Sequence, residues 1–204
     1  MLALPEPMLA RTGAIPTGTG WRYEPKLDGY RCLVCTHDRF KARSRRGWNM
    51  TPLLPELRQA LPADVQLDGE LVAFDDAGHP DFHRLCQRML QRRDGIAVTY
   101  VVFDVLAFDG EPTTSEPYRE RRKLLQALKL EAPHAAVVPT FTDGEGLFRE
   151  MCGRGLEGVV AKRERDAYRP GQRLWVKTKN RSTARFAEER SRARCARPLN
   201  NEHP

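Results

Sequence analysis

Long apolar runs are missing from this sequence of 204 residues. No stretch approaches the roughly 20 residues that a membrane-spanning helix needs. The opening residues 1–10 carry two prolines and no basic segment of the kind that begins a secretory signal. Cysteine is scarce as well, and the five cysteines are scattered and odd in number, which does not suit a disulfide framework. We therefore expect a reduced, intracellular and soluble protein with no membrane partner.

Lysine is also rare, because 27 of the 34 basic residues are arginine. Arginine can bind phosphate through two parallel hydrogen bonds, so a formal net charge of +7 is compatible with a nucleic-acid partner. A genome rich in G and C enriches arginine equally well, and charge alone does not decide between the two explanations. With 40% hydrophobic residues, the chain has enough apolar material for the core of one domain.

Segments with the patterns of strands and helices alternate along the chain without the regular rhythm of a doubly wound fold. The patterns predict strands at 21–25, 31–36, 40–43, 65–74, 98–106, 136–141, 158–162 and 174–177, and helices at 51–61, 81–91, 118–130 and 144–152. Several neighbouring strands are close enough to form hairpins. This arrangement favours an α+β fold with antiparallel or mixed sheets.

Three motifs do not fit their usual context. Cys32 and Cys35 have the spacing of a metal or redox pair, but residues three apart on a strand point to opposite faces, and no second pair exists. Residues 153–158 match the dinucleotide-binding pattern, yet a predicted helix precedes them and a strand follows, the reverse of the required order. Lys162 follows Val-Ala as in the kinase strand motif, but the other kinase motifs are absent from the sequence.

A lysine stands between two carboxylates in the segment Glu24-Pro25-Lys26-Leu27-Asp28-Gly29-Tyr30-Arg31. Taken alone, this segment is equally typical of a solvated hairpin. Four further elements follow it in order: Asp68-Gly69-Glu70, Phe103, Glu157-Gly158-Val159-Val160-Ala161-Lys162, and Trp175-Val176-Lys177-Thr178-Lys179. In this order the five elements resemble the signature of the covalent nucleotidyltransferases, which are DNA ligases, RNA ligases and mRNA capping enzymes.

The flanking residues are most similar to ATP-dependent DNA ligases, especially the small bacterial ligases of repair and end joining. The supporting phrases are Leu4-Pro5-Glu6-Pro7-Met8-Leu9-Ala10, Arg43-Ser44-Arg45-Arg46-Gly47 and Tyr168-Arg169-Pro170-Gly171. The resemblance covers residues 4–180 and implies an α+β fold of two packed mixed or antiparallel sheets flanked by helices, similar to the ATP-grasp fold. We expect an extended arm at 1–20, the nucleotidyltransferase domain at 21–180 and a poorly ordered basic tail at 181–204.

The resemblance implies a nucleophile and the cations around it. In this family a lysine amine attacks the α-phosphate of ATP and forms lysyl-AMP with release of pyrophosphate, which makes Lys26 the expected nucleophile. Lys177 and Lys179 are the expected clamps on the α-phosphate. Together with Arg45 they would place positive charge near the amine, which favours its uncharged, reactive form. The same charges would stabilise the phosphate oxygens in the transition state.

The remaining implied roles concern the nucleotide and a metal ion. Glu70 and Glu157 match the acidic residues that contact the ribose and position Mg²⁺ or Mn²⁺, since oxygen ligands suit such ions. Phe103 matches the ring that stacks on adenine, although plain core packing would also explain it. The other implied nucleotide contacts are Glu24 beside the adenine amino group, and Arg31 and Arg45 near the nucleotide and the 5′-phosphate. The role of Arg46 stays open, because many relatives carry asparagine there.

Full ligases continue past the second clamp lysine into an OB-fold domain that binds the duplex. The residues after Lys179 are too few for such a barrel, so we expect no OB-fold domain, slower self-adenylation and a weaker grip on DNA. Arginines of the tail would partly replace that grip through phosphate contacts. These arginines are Arg181, Arg185, Arg190, Arg192, Arg194 and Arg197.

The resemblance thus predicts a monomeric enzyme of the bacterial cytoplasm and nucleoid that uses ATP and a divalent cation to seal nicked or broken duplex DNA. Two alternatives stay open. One is an RNA ligase or capping-type transferase, because the sugar of the substrate cannot be read from the sequence. The other is a nick- or nucleotide-binding module with weak activity, which depends on a repair partner protein for its grip on DNA.

Overall fold

The computed structural model describes residues 3–130 and 133–183. Within these ranges, two β-sheets carry α-helices on their outer faces, which confirms the predicted α+β class. The strands are β1 Ala10–Thr12, β2 Trp21–Pro25, β3 Tyr30–Cys35, β4 Lys41–Ser44, β5 Gln66–Val72, β6 Thr99–Phe108, β7 Glu111–Pro112, β8 Ala135–Val137, β9 Gly158–Arg163 and β10 Trp175–Lys179. The helices are α1 Pro55–Ala60, α2 Phe82–Met89, α3 Tyr118–Ala127 and α4 Gly144–Gly153.

Both sheets mix antiparallel and parallel pairs. The first sheet has the strand order β1-β10-β9-β2, in which β1 runs parallel to β10 and the other pairs are antiparallel. The second sheet has the order β4-β3-β5-β6-β7 with antiparallel pairs, and β8 joins β6 in parallel. Glu157 directly precedes β9, an inner strand of the first sheet, and Glu70 lies within β5, the central strand of the second path β4-β3-β5-β6-β7.

Apolar side chains fill three layers. The largest cluster lies between the second sheet and the helices α1, α2 and α3, where Leu57, Leu85 and Leu125 are fully buried. A second cluster packs α4 against the first sheet through Leu147 and Met151. The third cluster lies between the two sheets. Because the helices cover the outer faces, the inner faces of the sheets are left to form the walls of a cleft.

The helix predicted at 51–61 is divided in two. Residues Thr51–Leu53 form a short 3-10 turn, and α1 begins only at Pro55. Leu54 between them has φ −130° and ψ 49°, outside the helical region. A proline disfavours the helical conformation of the residue before it, so Pro55 ends the first turn and begins the second helix. The strand predicted at 136–141 is also shorter, and Phe141 makes only a single bridge to Tyr23.

The predicted arm is built into the domain. Met8 is fully buried, and β1 extends the first sheet along β10. Residues 184–204, which hold nearly all of the predicted basic tail, lie outside the described residues, as do residues 1–2 and 131–132. Among the described helices, none is long and apolar enough to cross a membrane.

Candidate active site

A cleft opens between the inner faces of the two sheets. Residues two apart on a strand point to the same face, so Val160 and Lys162 of β9 face the cleft together with Trp175 and Lys177 of β10. The opposite wall comes from the second sheet. The charged residues that line the cleft are Lys26, Arg31, Arg45, Glu70, Lys162 and Lys177, and its apolar lining includes Leu9, Leu27, Phe103, Val138, Val160 and Trp175.

Lys26 lies at the end of β2, where the register of the first sheet brings it beside Glu157. Its backbone N–H donates to the carbonyl of Gly158 at 2.8 Å, and its Nζ donates to Glu157 Oε2 at 2.7 Å. On the other side of β9, Lys179 pairs in register with Gly158, and its Nζ lies 3.9 Å from Glu157 Oε1. The central strand therefore places one carboxylate between the predicted nucleophile and a predicted clamp.

Gly158 allows β9 to lie close to β10 at this point, since its φ is +130° and a β-carbon would lie 2.1 Å from the carbonyl oxygen of Thr178. We expect Gly158→Ala to lower the free energy of unfolding by about 2–4 kcal/mol, because the clash involves backbone atoms on both strands. Chemical denaturation of the two proteins measures this difference.

The matched control is Gly153→Ala at the end of α4, where no described atom lies within 4 Å of the added carbon. Alanine is the better helix former, so this control is expected to change stability by less than about 1 kcal/mol. Equal unfolding free energies for the two variants would contradict the assignment of Gly158 as a packing requirement.

Glu70 lies on β5 directly opposite Arg31 of β3 and lines the cleft close to Lys26. Burial raises the pKa of Glu70 to about 7, although the positive charges of Lys26 and Arg31 oppose the rise. Arg31 itself is held by the fully buried Asp68, with its Nε 2.6 Å from Asp68 Oδ1, and its Nη2 donates to the carbonyl of Met8 at 2.8 Å. The positive charges of Lys26 and Arg31 thus lie close to the buried carboxyl group of Glu70.

Phe103 and Trp175 face each other across the two sheets. Their ring centroids are 5.8 Å apart in an edge-to-face arrangement. The Arg31 guanidinium lies 4.7 Å from the Phe103 centroid, and Lys162 Nζ lies 4.6 Å from it. The half-buried Phe103 ring therefore lines the cleft and also packs against two cations, and its stacking on adenine stays a prediction.

Glu24 does not line the cleft. Its side chain is 3% exposed, and its carboxylate accepts hydrogen bonds from Tyr118 Oη at 2.6 Å and pairs with Lys162 Nζ at 2.8 Å. Lys162 is 1% exposed, and burial lowers its pKa. The contact of Glu24 with the adenine amino group stays a prediction, and in this structure the carboxylate is held by Tyr118 and Lys162.

Arginines cluster at the mouth of the cleft. Arg45 is exposed, and burial of part of its side chain together with the charges of Arg31, Arg173 and Arg46 lowers its pKa. The part of this lowering that comes from the neighbouring arginines reflects positive potential, which would attract a phosphate. The mouth also contains Glu6 and Arg43, whose Nη2 donates to the carbonyls of Leu4 and Pro5 in the arm.

The residues of the cleft fit a magnesium ion together with a nucleotide. No cluster of three or more His, Cys, Asp or Glu side chains with ligand geometry occurs in residues 3–130 and 133–183. Mg²⁺ does not require one, since it usually keeps several waters and uses one or two carboxylates plus substrate phosphates. Glu70 and Glu157 supply two carboxylates on facing walls, both near Lys26.

Sequence reasoning found the residues that line the cleft but missed those behind it. Lys26, Arg31, Arg45, Glu70, Phe103 and Lys177 line one cleft, while Glu157 and Lys179 meet Lys26 at its edge. The buried residues to which sequence reasoning assigned no role are Asp68, Asp104, Tyr118, Arg121, Lys162 and Tyr168, of which Lys162 also lines the cleft. Asp68 lies two residues from Glu70 and shares its face, so strand periodicity was a signal that could have found it.

Comparisons with known proteins agree with this architecture. The family model for the ATP dependent DNA ligase domain matches residues 7–179. The multifunctional non-homologous end joining DNA repair protein LigD of Mycobacterium tuberculosis is 39% identical over 189 residues, which are 87% of this chain and 24% of that protein. The chain therefore spans about a quarter of the length of this relative.

Solved structures show the same fold. A mycobacterial DNA ligase D complexed with ATP and MES superposes with a TM-score of 0.75 at 36% identity, covering 86% of this chain and 60% of that one. The Chlorella virus DNA ligase-adenylate has a TM-score of 0.63 at 21% identity, covering 87% of this chain and 69% of that one, and it supports the fold alone. With the family model matching most of its length, this chain belongs to the family of ATP-dependent DNA ligase nucleotidyltransferase domains.

Proposed function

We propose that this domain takes AMP from ATP onto Lys26 and passes it to a DNA 5′-phosphate for the sealing of nicked or broken duplex DNA. The observation that carries the proposal is the position of Lys26 Nζ, 2.7 Å from Glu157 in a cleft that also contains Glu70 and Lys177. We place this activity in a monomer in the bacterial cytoplasm at the nucleoid. Names of relatives that describe end joining and DNA repair support this choice of substrate.

The first step is attack by the Lys26 amine on the α-phosphorus of ATP. A nitrogen–phosphorus bond forms, the bond to the pyrophosphate oxygen breaks, and the amine loses a proton. Glu157 is the carboxylate in contact with Lys26 and is therefore the nearest acceptor for that proton. Lys177 in the cleft and Lys179 beside Glu157 supply fixed positive charge for the α-phosphate oxygens, where negative charge develops.

The next two steps use the same nucleotide site. An oxygen of the DNA 5′-phosphate attacks the phosphorus of lysyl-AMP, the nitrogen–phosphorus bond breaks, and Lys26 regains a proton. The adjacent 3′-hydroxyl then loses its proton to solvent and attacks the 5′-phosphorus, so that the phosphodiester bond forms, the phosphorus–oxygen bond to AMP breaks, and AMP leaves. Arg45 at the mouth of the cleft is placed to bind the 5′-phosphate, while Phe103 and Trp175 give the base an apolar wall. Mg²⁺ or Mn²⁺ held by Glu70 and Glu157 would neutralise charge on the phosphates.

Two further readings share the same cleft. An RNA ligase or capping-type transferase would use the same lysine, and the likeness to an archaeal RNA ligase, with a TM-score of 0.52 at 19% identity, supports the fold alone. A binding module that depends on a repair partner would bind the nucleotide in the same cleft without sealing DNA on its own. We prefer the DNA ligase because the solved relative at 36% identity is named a DNA ligase and the relative at 39% identity is named for non-homologous end joining DNA repair.

The test is covalent labelling followed by sealing. The full chain is incubated with Mg²⁺ and α-labelled ATP, and we expect label that survives denaturation and is chased off by nicked duplex DNA with formation of sealed product. Labelling by GTP in place of ATP would favour a capping enzyme, and sealing of RNA alone an RNA ligase. Labelling without sealing would favour the partner-dependent module. Absence of any label would contradict the proposal.

A further inference from the structure

Helix α3 contacts both sheets through two buried polar side chains one helical turn apart. Tyr118 Oη donates to Glu24 Oε1 at 2.6 Å, and Glu24 belongs to β2 in the first sheet. Arg121 binds Asp104 of β6 in the second sheet, with Nε–Oδ1 at 2.7 Å and Nη2–Oδ2 at 3.0 Å. Tyr118 and Arg121 are each 1% exposed. One rigid helix thus sets the distance between the sheets.

The two contacts end beside the residues that form the cleft. Glu24 precedes Lys26 by two residues, and Asp104 directly follows Phe103. Lys162 completes the connection, because its Nζ lies 2.8 Å from Glu24 Oε2 and donates to the carbonyl oxygen of Phe103 at 2.9 Å. A continuous chain of hydrogen bonds therefore runs from the α3 hydroxyl to the backbone of the residue whose ring lines the cleft.

We infer that Tyr118 is a positioning residue for the nucleobase end of the cleft, and that it controls how tightly and how selectively a purine is bound. It acts through Glu24 and Lys162 on Phe103 and touches no nucleotide itself. The inference rests on the proposed function, since it takes the cleft to be the ATP site. None of the sequence motifs contains Tyr118.

The hydroxyl of Tyr118 matters because Glu24 is a buried carboxylate with two partners. Burial and the charge of Glu24 raise the pKa of Tyr118 well above its ordinary value, so the hydroxyl keeps its proton and donates. Removing the hydroxyl leaves Glu24 Oε1 without this donor, and the carboxylate can then rotate while it stays paired with Lys162. Lys162 then holds the Phe103 carbonyl less firmly, and the wall of the cleft loses its fixed position.

The experiment uses Tyr118→Phe, which removes one oxygen and leaves the ring in place. Self-adenylation with α-labelled ATP gives two quantities, the half-saturating ATP concentration and the maximal rate of labelling. We expect the half-saturating concentration to rise about tenfold, as for loss of a hydrogen bond to a charged group, while the maximal rate stays within about threefold. Preference for ATP over GTP is expected to fall as well.

The matched control is Tyr100→Phe. This tyrosine is fully buried, and its hydroxyl donates to the carbonyl of Cys32 at 3.0 Å, a contact within the second sheet only. Both variants lose a buried hydroxyl, so similar losses in unfolding free energy are expected, but only Tyr118→Phe should change ATP affinity. ATP binding is measured independently by calorimetry in Lys26→Ala protein, which cannot be labelled.

The outcomes separate the inference from the proposed function. Wild-type labelling with equal ATP half-saturation and ATP-over-GTP preference in Tyr118→Phe would overturn the inference and leave the proposed function standing. An equal rise in half-saturation for Tyr100→Phe would also overturn it, because the effect would then come from lost stability. A wild-type protein that neither binds ATP nor becomes labelled would overturn both.

Discussion

Lys26→Arg is expected to abolish labelling by α-labelled ATP, with a loss on the order of 10³-fold or more. Lys26 forms an ion pair with Glu157 at 2.7 Å. Arginine keeps the positive charge, so an ion pair with Glu157 and the local fold are expected to remain. A guanidinium, however, does not give up its proton in proteins and offers no free amine for a bond to phosphorus. The substitution therefore tests whether labelling requires the amine of Lys26 itself or only its positive charge.

The control for this substitution is Lys123→Arg on the exposed face of α3, where the side chain is 71% exposed and pairs with Glu120. Labelling equal to wild type is expected there, which shows that arginine substitution alone does no harm. Denaturing gels with α-labelled ATP provide the measurement for both proteins. Label retained by Lys26→Arg would place the nucleophile elsewhere, with Lys162, Lys177 and Lys179 as the remaining lysines of the cleft region.

The cleft residues could be predicted because each lies in a short segment whose order along the chain is characteristic. Lys26, Glu70 and Lys177 come from three separate segments, and the order of those segments carried the prediction. Their convergence in one cleft follows from the two sheets, whose inner faces place β2, β5 and β10 around it. The fold class was predictable because the strand and helix patterns lack the regular rhythm of a doubly wound sheet and several neighbouring strands are close enough to form hairpins.

The layer behind the cleft could not be predicted, because its contacts join residues far apart in the chain. Tyr118 meets Glu24 across 94 positions, and no local pattern reports such a pair. Arg121 lies in the helix predicted at 118–130, and the local sequence does not show that it is 1% exposed and pairs with Asp104 of β6. Buried charges are rare unless they are paired, and the partner is known only once the sheets are assembled.

Burial of the ionisable Glu70 in the cleft lowers the stability of the folded domain at neutral pH. Its ordinary carboxyl pKa of 4.5 rises to about 7 in the folded protein, mainly through burial. A raised carboxyl pKa means that the folded state prefers the protonated form. The stability contributed by Glu70 is therefore greatest below pH 4.5, falls as the pH rises to about 7, and stays low above it. At neutral pH the ionised carboxylate is partly destabilising.

Glu70→Gln is accordingly expected to stabilise the domain at pH 8 and to impair its activity. Glutamine has nearly the same shape but no charge, so the free energy of unfolding should exceed that of wild type by on the order of 1–3 kcal/mol at pH 8, with the difference vanishing near pH 4. Self-adenylation should fall about 10²-fold, because an amide is a poor ligand for Mg²⁺ and carries no charge to hold it. Denaturation curves across this pH range and single-turnover labelling at pH 8 measure the two effects.

The control is Glu120→Gln on α3, because the pKa of Glu120 is lowered by its hydrogen bond to Lys123. A lowered pKa means that the folded state prefers the ionised form of Glu120, the opposite of Glu70. Replacing Glu120 by glutamine should therefore give no stabilisation at pH 8 and leave labelling unchanged. Loss of stability in Glu70→Gln would mean that attraction to Lys26 and Arg31 outweighs the cost of burial. Retained labelling would mean that Glu70 is not needed for the transfer of AMP. A variant that is both more stable and inactive would show that the Glu70 carboxylate is needed for AMP transfer and lowers the free energy of unfolding.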